Sequence, residues 1–317
     1  MKQPGARWET LSLGATDVQV EPLGIGAWQW GDRMMWGFGR DYGEAEVRLA
    51  FEASLAASVR FFDTAEIYGR GRSERFVGEF VRASSQPVVV ATKYFPFPWR
   101  WRKRSLVEAL RRSLDRLGLQ QVDLYHIHWP FPPRSVAWWA DSLADAVEAG
   151  LARAVGVSNF SVDQTRRAHD ALARRGVPLA SNQVEYSLLH RQPERNGLLG
   201  ACRELNITLV AYSPLAKGLL TGKYTPLAPP PGLRRRRWHG ERLARIQPLI
   251  TRLRELGQAH GGKTPAQVAL NWLMRKGALP IPGVKNARQV QDNAGALGWS
   301  LTSDEVAMLD EVSDDVS

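Results

Sequence analysis

Four side chains with different acid–base chemistry follow apolar runs in the first half of the chain. They are a carboxylate, a phenol, an amine and an imidazole, at Asp63, Tyr68, Lys93 and His128. A phenol with a pKa of about 10 is a poor acid at neutral pH unless a nearby ammonium stabilises the phenolate. Lys93 could supply that charge while Asp63 holds it in place, and His128 could hydrogen-bond a carbonyl oxygen as charge develops there. The set predicts proton transfer.

Each of these residues also has an ordinary structural interpretation. Asp63 alone is typical of a turn or a helix cap, Lys93 of a surface lysine and Tyr68 of a packed loop aromatic. Val88–Thr92 has the composition of a buried strand, however, so Lys93 should emerge where that strand ends. The shared position of these residues near strand ends favours a catalytic role over the structural interpretations.

A second histidine, His126, precedes His128 by two positions. Residues two apart on a strand point to the same side, so side-chain alternation does not choose between them. His128 is nearer the end of the strand and precedes Trp129, whereas His126 sits deeper. We therefore predict His128 at the site and His126 in the buried interior.

The elements that would position these residues are strands that alternate with helices along the whole chain. Alternation predicts a parallel sheet, and eight strands match a closed (β/α)8 barrel, in which catalytic groups gather at the strand carboxyl ends. No G-x-G-x-x-G motif follows the first strand, which argues against an open dinucleotide-binding sheet. The predicted strands are Val20–Gly26, Arg60–Asp63, Val88–Thr92, Leu124–His128, Ala154–Ser158, Ala180–Val184, Thr208–Tyr212 and Leu279–Pro282.

Capping boxes predict three helix starts, at Ser105, Ser161 and Thr264. Helical patterns cover Val136–Ala149 and Arg242–His260 as well. Thr302–Val312 predicts an extra helix after the last barrel unit.

Lys217–Gly240 interrupts this order after the seventh strand. It contains four prolines and the arginine run Arg234–Arg237, so we predict a long irregular loop before the seventh helix. A loop of this length is either a functional lid or a mobile segment, and an arginine-rich lid could meet a phosphate.

Length and composition favour a single domain over residues 1–317, because 44% hydrophobic content can bury one large core. The one cysteine, Cys202, cannot form an intramolecular disulfide, and no other residue pairs with it in a metal-ligand spacing, which fits a reducing compartment. The first residues lack a signal pattern, and no stretch approaches the roughly 20 apolar residues of a membrane span. We expect a cytoplasmic, soluble protein without a membrane partner.

The net charge of +10 raises the question of nucleic-acid binding. Most arginines, such as Arg111, Arg112 and Arg116, occupy polar positions of helical patterns, where solvated helix faces are the ordinary interpretation. Only Arg234–Arg237 form a run. Binding of nucleic acid through that run is therefore ranked last, and no such partner is expected.

Six segments, in order, resemble the aldo-keto reductase family, and the resemblance extends along almost the whole chain. It implies reduction of aldehydes or ketones by NADPH without a metal, with Tyr68 as general acid, Lys93 lowering its pKa, Asp63 pairing with Lys93 and His128 orienting the carbonyl. The segments are FDTAEIYG at 62–69, ATK at 91–93, DLYHIHWP at 123–130, GVSNF at 156–160, NQVEY at 182–186 and YSPL at 212–215.

The resemblance also implies a cofactor site. Ser158, Asn159 and Gln183 would bind the nicotinamide carboxamide, and Tyr212 would stack on the ring. The segment IPGVKNARQVQDN at 281–293 is similar to the family's adenosine-end site, with Lys285 as the candidate for the 2′-phosphate. The remaining implied cofactor residues are Trp28, Ser213, Leu215, Lys217, Gly218, Gly283, Gln289 and Asn293.

This adenosine-end segment departs from the better-known members. Gly283-Val284 replaces a Lys-Ser pair, and Gln289 stands where an arginine is usual. The Pro-Gly pair is more like a bacterial and plant branch. NADPH is expected in preference to NADH.

The aromatic residues Trp28, Phe95 and Trp129 are the candidate substrate wall, together with Tyr68. They favour an apolar or ring-bearing carbonyl compound, and the plant-like branch suggests pyridoxal as one candidate. Plain packing is the alternative for these rings. The alternative function is a cofactor-binding regulatory subunit, similar to the potassium-channel β-subunits.

Overall fold

The computed structural model describes residues 9–100, 102–231, 235 and 238–316. A short antiparallel hairpin, β1 (Leu11–Ser12) and β2 (Gln19–Val20), precedes one parallel sheet of eight strands in which each strand pairs with the next along the chain. These are β3 (Ile25–Gly26), β4 (Phe61–Asp63), β5 (Val89–Tyr94), β6 (Val122–Ile127), β7 (Ala152–Ser158), β8 (Leu179–Glu185), β9 (Thr208–Tyr212) and β10 (Leu279–Pro280).

The first and last strands meet and close the sheet into a barrel. Gly24 N donates to Pro280 O at 3.0 Å, and Gly26 N donates to Pro282 O at 3.1 Å. Ile281 N instead donates to Ala211 O of β9, so the two prolines need only their carbonyls in this ladder. A proline-rich strand is therefore compatible with closure.

Helices on the outside alternate with the strands as the sequence predicted. Ser161 and Thr264 cap their helices through capping boxes, and Thr302 does the same for the last helix. The helices of the described residues are α1 (Glu44–Ala56), α2 (Arg72–Ala83), α3 (Arg104–Leu117), α4 (Val136–Glu148), α5 (Val162–Ala173), α6 (Gln192–Arg195), α7 (Leu198–Glu204), α8 (Gly240–Ala259), α9 (Pro265–Arg275), α10 (Ala287–Ala294) and α11 (Ser303–Asp314).

Two predicted boundaries are wrong. Ser105 does not cap α3, because the chain already turns at Arg102, whose carbonyl accepts from Ser105 N at 2.9 Å. The N-cap of α3 is Lys103, two residues before the predicted one. The predicted strand Val20–Gly26 is divided in the structure. Val20 pairs with Leu11 in the hairpin, Pro22 has no N–H to donate, and only Ile25–Gly26 belongs to the barrel.

The hydrophobic core has two main parts, and Leu219, Leu243 and Ile246 form a small third cluster among the described residues. The larger part lies between the barrel and its helices. The smaller one fills the barrel interior, where hairpin residues Leu13, Val18 and Val20 pack on strand residues such as Phe61 and Leu124. The hairpin therefore covers one end of the barrel and leaves the carboxyl ends of the strands for the site.

The predicted irregular segment begins with a 3-10 turn at Ala216–Thr221 and has no helix from there to residue 231. Arg234, Arg236 and Arg237 lie outside the described residues, and Arg235 is exposed. None of the described helices combines the length and apolar composition that a membrane span requires.

Candidate active site

The strand carboxyl ends surround a cavity of about 810 Å³. Asp63 ends β4, Lys93 lies near the end of β5 and His128 follows β6 directly. Ser158 ends β7, and Tyr212 ends β9. All of these except Lys93 line the cavity, because the Lys93 side chain lies fully buried beneath it.

Lys93 connects the acid–base groups at the base of the cavity. Its ammonium donates to Asp63 Oδ1, to the Thr64 carbonyl at 2.8 Å and to Tyr68 Oη at 3.5 Å. The second oxygen of Asp63 accepts from Gln183 Nε2 at 2.9 Å. The ion pair predicted from the sequence is therefore held from several sides.

Burial dominates the electrostatics of this pair. Desolvation raises the pKa of Asp63 and lowers the pKa of Lys93, and the attraction between the two opposes both changes. A buried ion is tolerated only where its donors are satisfied. The three acceptors around the Lys93 ammonium meet that requirement.

Tyr68 begins a 3-10 turn after β4 and lies against Trp28, with ring centroids 5.9 Å apart and nearly parallel. Burial, and secondarily the charge of Asp63, raises the pKa of Tyr68 well above its ordinary value. The lowering of the Tyr68 pKa by Lys93 that the sequence predicts does not overcome this desolvation. Tyr68 thus keeps its proton at neutral pH.

His128 lines the cavity and packs edge-on against Tyr68, with ring centroids 5.7 Å apart. Burial, reinforced by the charge of Lys93, lowers the pKa of His128 to about 3, so its imidazole is neutral. His126 lies inside the barrel, where Nε2 is 2.9 Å from Ser181 Oγ. The structure thus separates the two histidines as the sequence predicted.

A network of amides and hydroxyls forms one wall of the cavity. Asn159 has a left-handed backbone with φ of 62°. Its amide nitrogen donates to His128 O at 3.1 Å and to Ser158 Oγ at 3.0 Å, and its Oδ1 accepts from Tyr212 Oη at 3.0 Å. The residues predicted to bind nicotinamide are therefore adjacent and mutually oriented.

The segment after β9 carries the strained part of the backbone. Ser213, Ala216 and Lys217 adopt positive φ values of 52°, 47° and 56°, which L residues rarely do. Gly218 follows with φ of 94°. Within these turns Ala216 N donates to Ser213 O at 2.8 Å, and Gly218 N donates to Leu215 O at 2.9 Å.

At the far end of the cavity lie Lys285 and the first turn of α10. The Lys285 ammonium donates to the Trp36 carbonyl at 2.8 Å and lies 4.6 Å from the centroid of the Tyr42 ring. Asn286 caps α10 by accepting from Gln289 N at 3.0 Å. Arg288 is exposed there, without an ion-pair partner among the described residues.

Every residue predicted from the sequence for cofactor binding lines the cavity. Phe95 does not line it, because its ring packs behind His128 at a centroid distance of 5.7 Å. Gln29, Trp36, Lys223 and Arg288 line the cavity and were missed. Of these four, Arg288 had a signal in the sequence, because it is a cation within the segment 281–293 that resembles the family's adenosine-end site.

The barrel and the acid–base groups at its strand ends define the class of protein, a β/α-barrel oxidoreductase. The chain belongs to the aldo/keto reductase family, whose sequence profile matches residues 22–314. Membership implies NAD(P)-dependent oxidoreduction of carbonyl compounds.

Two relatives and one solved structure illustrate the similarity. The chain is 41% identical to the chloroplastic pyridoxal reductase of Arabidopsis thaliana, over 96% of this chain and 85% of that protein. It is 40% identical to an uncharacterized oxidoreductase of Mycobacterium tuberculosis, over 90% and 87%. The glycerol dehydrogenase of Gluconobacter oxydans superposes with a TM-score of 0.83 at 27% identity, over 96% and 94% of the chains.

The residues of the cavity fit a nicotinamide dinucleotide. Gln29 Oε1 is buried and accepts no hydrogen bond from the described part of the chain. The carboxamide of Gln29 occupies the space that a side chain at Gly283 would fill. The Gln29 oxygen could accept from a ligand hydroxyl, and the N-terminus of α10 beside Lys285 suits a phosphate group.

Proposed function

We propose that this protein reduces aldehydes or ketones to alcohols, with hydride from NADPH and a proton from Tyr68. The observation that carries the proposal is the Lys93 ammonium, which contacts Asp63 and lies 3.5 Å from Tyr68 Oη beneath the cavity. His128 stands beside the phenol. A carbonyl oxygen could therefore accept from both at once.

Tyr68 and His128 orient the carbonyl oxygen, since both are neutral hydrogen-bond donors at pH 7. As negative charge develops on that oxygen, the Tyr68 proton moves to it and an O–H bond forms. The phenolate left behind is stabilised by the Lys93 ammonium, which Asp63 keeps in place. Solvent then returns a proton to Tyr68.

The cofactor, when bound, supplies the hydride that forms the new C–H bond. Ser158, Asn159 and Gln183 would hold its nicotinamide end, and Tyr212 would cover one ring face. Lys285 and Arg288 would meet the 2′-phosphate, which favours NADPH over NADH because only NADPH carries that charge.

The substrate we propose is apolar or ring-bearing, since Trp28 and Trp129 line the cavity next to Tyr68. Pyridoxal is one candidate, because a 41% identical relative is a pyridoxal reductase. Pyridoxal therefore belongs in the first set of substrates tested.

The test is NADPH oxidation, followed by absorbance, with pyridoxal, benzaldehyde and aliphatic aldehydes, and with NADH as the competing cofactor. Tyr68→Phe should lose at least a hundredfold in kcat, because general acid catalysis contributes about 10²–10⁴-fold. Tyr94→Phe is the matched control, since it removes a buried hydroxyl outside the cavity. Binding of NADPH without turnover of any carbonyl would favour the regulatory function instead.

A further inference from the structure

Four exposed or half-buried aromatic rings lie beside the mouth of the cavity, and we call them the outer aromatic platform. Trp99 is 70% exposed, Phe131 41% and Trp129 36%, and Phe97 stacks beneath Trp99. Large rings left in water lose the free energy of burial. A group of such rings beside a ligand cavity is typical of a binding surface.

The platform is continuous with the cavity. Trp129 lines the cavity and stacks on Phe131 at a centroid distance of 5.8 Å and an angle of 7°. Phe97 stacks on Trp99 at 4.7 Å and 11°. Phe95 lies between these two pairs, 6.0 Å from Phe131 and 4.7 Å from Phe97, and its other side contacts His128.

A buried ion pair holds the platform in place. Glu66, two residues before Tyr68, accepts from Phe95 N at 2.7 Å and from Arg100 Nη2 at 2.9 Å. Arg100 Nη1 also donates to Phe95 O at 3.1 Å, and its guanidinium lies 5.1 Å from the centroid of Phe97. The loop that carries Phe97 and Trp99 is thereby tied to the segment that carries Tyr68.

We propose that the outer aromatic platform is a second substrate subsite, which stacks the distal ring of an extended aryl aldehyde or ketone whose carbonyl lies at Tyr68 and His128. The inference rests on the proposed function and adds a substrate class to it. The rings within each pair, Phe97 with Trp99 and Trp129 with Phe131, are nearly parallel and present flat faces. Offset stacking on such faces selects flat apolar rings. Glu66 and Arg100 tie the loop at Phe95 and Phe97 in place, which lowers the conformational entropy lost when a ring binds there.

The test compares a one-ring and a two-ring substrate, benzaldehyde and biphenyl-4-carboxaldehyde, in the wild type, Phe131→Ala and Trp99→Ala. Trp99 is largely exposed and Phe131 is partly exposed, so we expect both variants to fold, which circular dichroism checks. Leu49→Ala is the matched control, since Leu49 is an exposed apolar residue on α1. Calorimetric binding of biphenyl-4-methanol and benzyl alcohol provides a second measurement that needs no turnover.

In Phe131→Ala, the kcat/KM ratio of the two-ring to the one-ring aldehyde should fall about three- to tenfold, as loss of one aromatic contact predicts. Trp99→Ala should lower the ratio by less, because Phe131 stacks directly on Trp129 whereas Trp99 stacks on Phe97. The dissociation constant of biphenyl-4-methanol should rise by the same factors. Leu49→Ala should change neither.

An unchanged ratio in both variants would overturn the proposal. So would a dimer in sedimentation that either variant converts to monomer, because a second copy of the chain would then be what covers the platform. The protein could reduce no aldehyde and still bind biphenyl-4-methanol, with Phe131→Ala raising the dissociation constant. In that case the reductase proposal fails and the subsite stands. A wild type that neither reduces nor binds the two-ring compounds overturns the subsite too.

Discussion

Lys93 has no exposed surface, and its ammonium contacts a carboxylate, a backbone carbonyl and a phenol. Transferring a charged amine from water into the interior is costly, and replacing such a pair by apolar residues often stabilises a protein. The buried pair of Lys93 and Asp63 is therefore better explained by a role in proton transfer than by a contribution to stability. Burial keeps His128 neutral, which suits a hydrogen-bond donor to a carbonyl oxygen.

Neutral donors predict an unusual pH profile. Burial raises the pKa of Tyr68 and lowers that of His128 to about 3, so neither group titrates between pH 6 and pH 9. We expect kcat/KM for aldehyde reduction to be flat over that range, measured with saturating NADPH. A fall in kcat/KM as pH rises through about 6.5 would mean that His128 acts as imidazolium and would contradict this account.

Arg288 should discriminate between the two cofactors. Replacing it with alanine removes a cation at the adenosine end, and a hydrogen bond to a charged group contributes about 1.5–3 kcal/mol. Arg288→Ala should therefore raise the Kd for NADPH roughly tenfold or more and leave the Kd for NADH within about twofold. Fluorescence titration measures both.

Arg275→Ala, which removes an exposed arginine at the end of α9, is the control for net charge. Equal loss of NADPH and NADH binding in Arg288→Ala would show that Arg288 supports the site in general and does not recognise the 2′-phosphate.

At the scale of elements, the sequence predicted which strands end in chemistry, because apolar runs followed by a polar residue are visible without coordinates. The prediction that Phe95 lines the cavity was wrong, because no local pattern in the sequence shows which way its ring faces. Whether a ring faces the cavity or packs behind His128 depends on the loop that follows β5, and Glu66 and Arg100 shape that loop through contacts 34 residues apart. Such contacts leave no periodic signal in a sequence.

The packing of α2 on α3 offers a direct test at this scale. Gly78 lies in α2 where an added Cβ would overlap the Leu117 carbonyl at the end of α3. Gly78→Ala should lower the free energy of unfolding by about 1–3 kcal/mol, because backbone must move to admit the methyl group. Urea unfolding measures the change.

Gly200→Ala is the matched substitution, since Gly200 lies in α7 with nothing within 4 Å of its added Cβ. It should raise the free energy of unfolding by about 0.5–1 kcal/mol, because alanine restricts the unfolded chain and favours helix. Destabilisation by both substitutions to the same extent would refute the close approach of α2 and α3.

For the whole molecule, the count of strands and the strand-end residues were enough to predict a barrel, and the backbone closure through Gly26 and Pro282 agrees with it. The hairpin β1–β2 was missed because each strand has only two residues, too few for any alternation. Its packing under the barrel interior depends on residues distant in sequence, such as Leu124 and Val210. Local pattern does not contain that information.

Buried neutral histidines make the stability of the whole molecule depend on pH. His128 is neutral when folded down to about pH 3, whereas the unfolded chain binds a proton near pH 6.5. The free energy of unfolding is therefore unaffected by the titration of His128 above about pH 6.5. Below that pH, protonation of this residue in the unfolded chain lowers the free energy of unfolding by about 1.4 kcal/mol per pH unit. The His128→Asn variant should therefore lose less unfolding free energy than the wild type between pH 6.5 and pH 5, by roughly 1–2 kcal/mol.

Urea unfolding of both proteins at several pH values measures this difference. Parallel curves for wild type and variant would contradict a buried, neutral His128.

The central claim is direct transfer of hydride to a carbonyl carbon with Tyr68 as the proton donor, and isotope transfer tests it most directly. NADPH that carries deuterium at both C4 positions of its dihydronicotinamide ring is incubated with protein and benzaldehyde, and the alcohol is analysed by mass spectrometry. The account predicts deuterium on the alcohol carbon with wild type and at least a hundredfold slower formation of that product with Tyr68→Phe. Alcohol without deuterium, or equal rates for the two proteins, would contradict it.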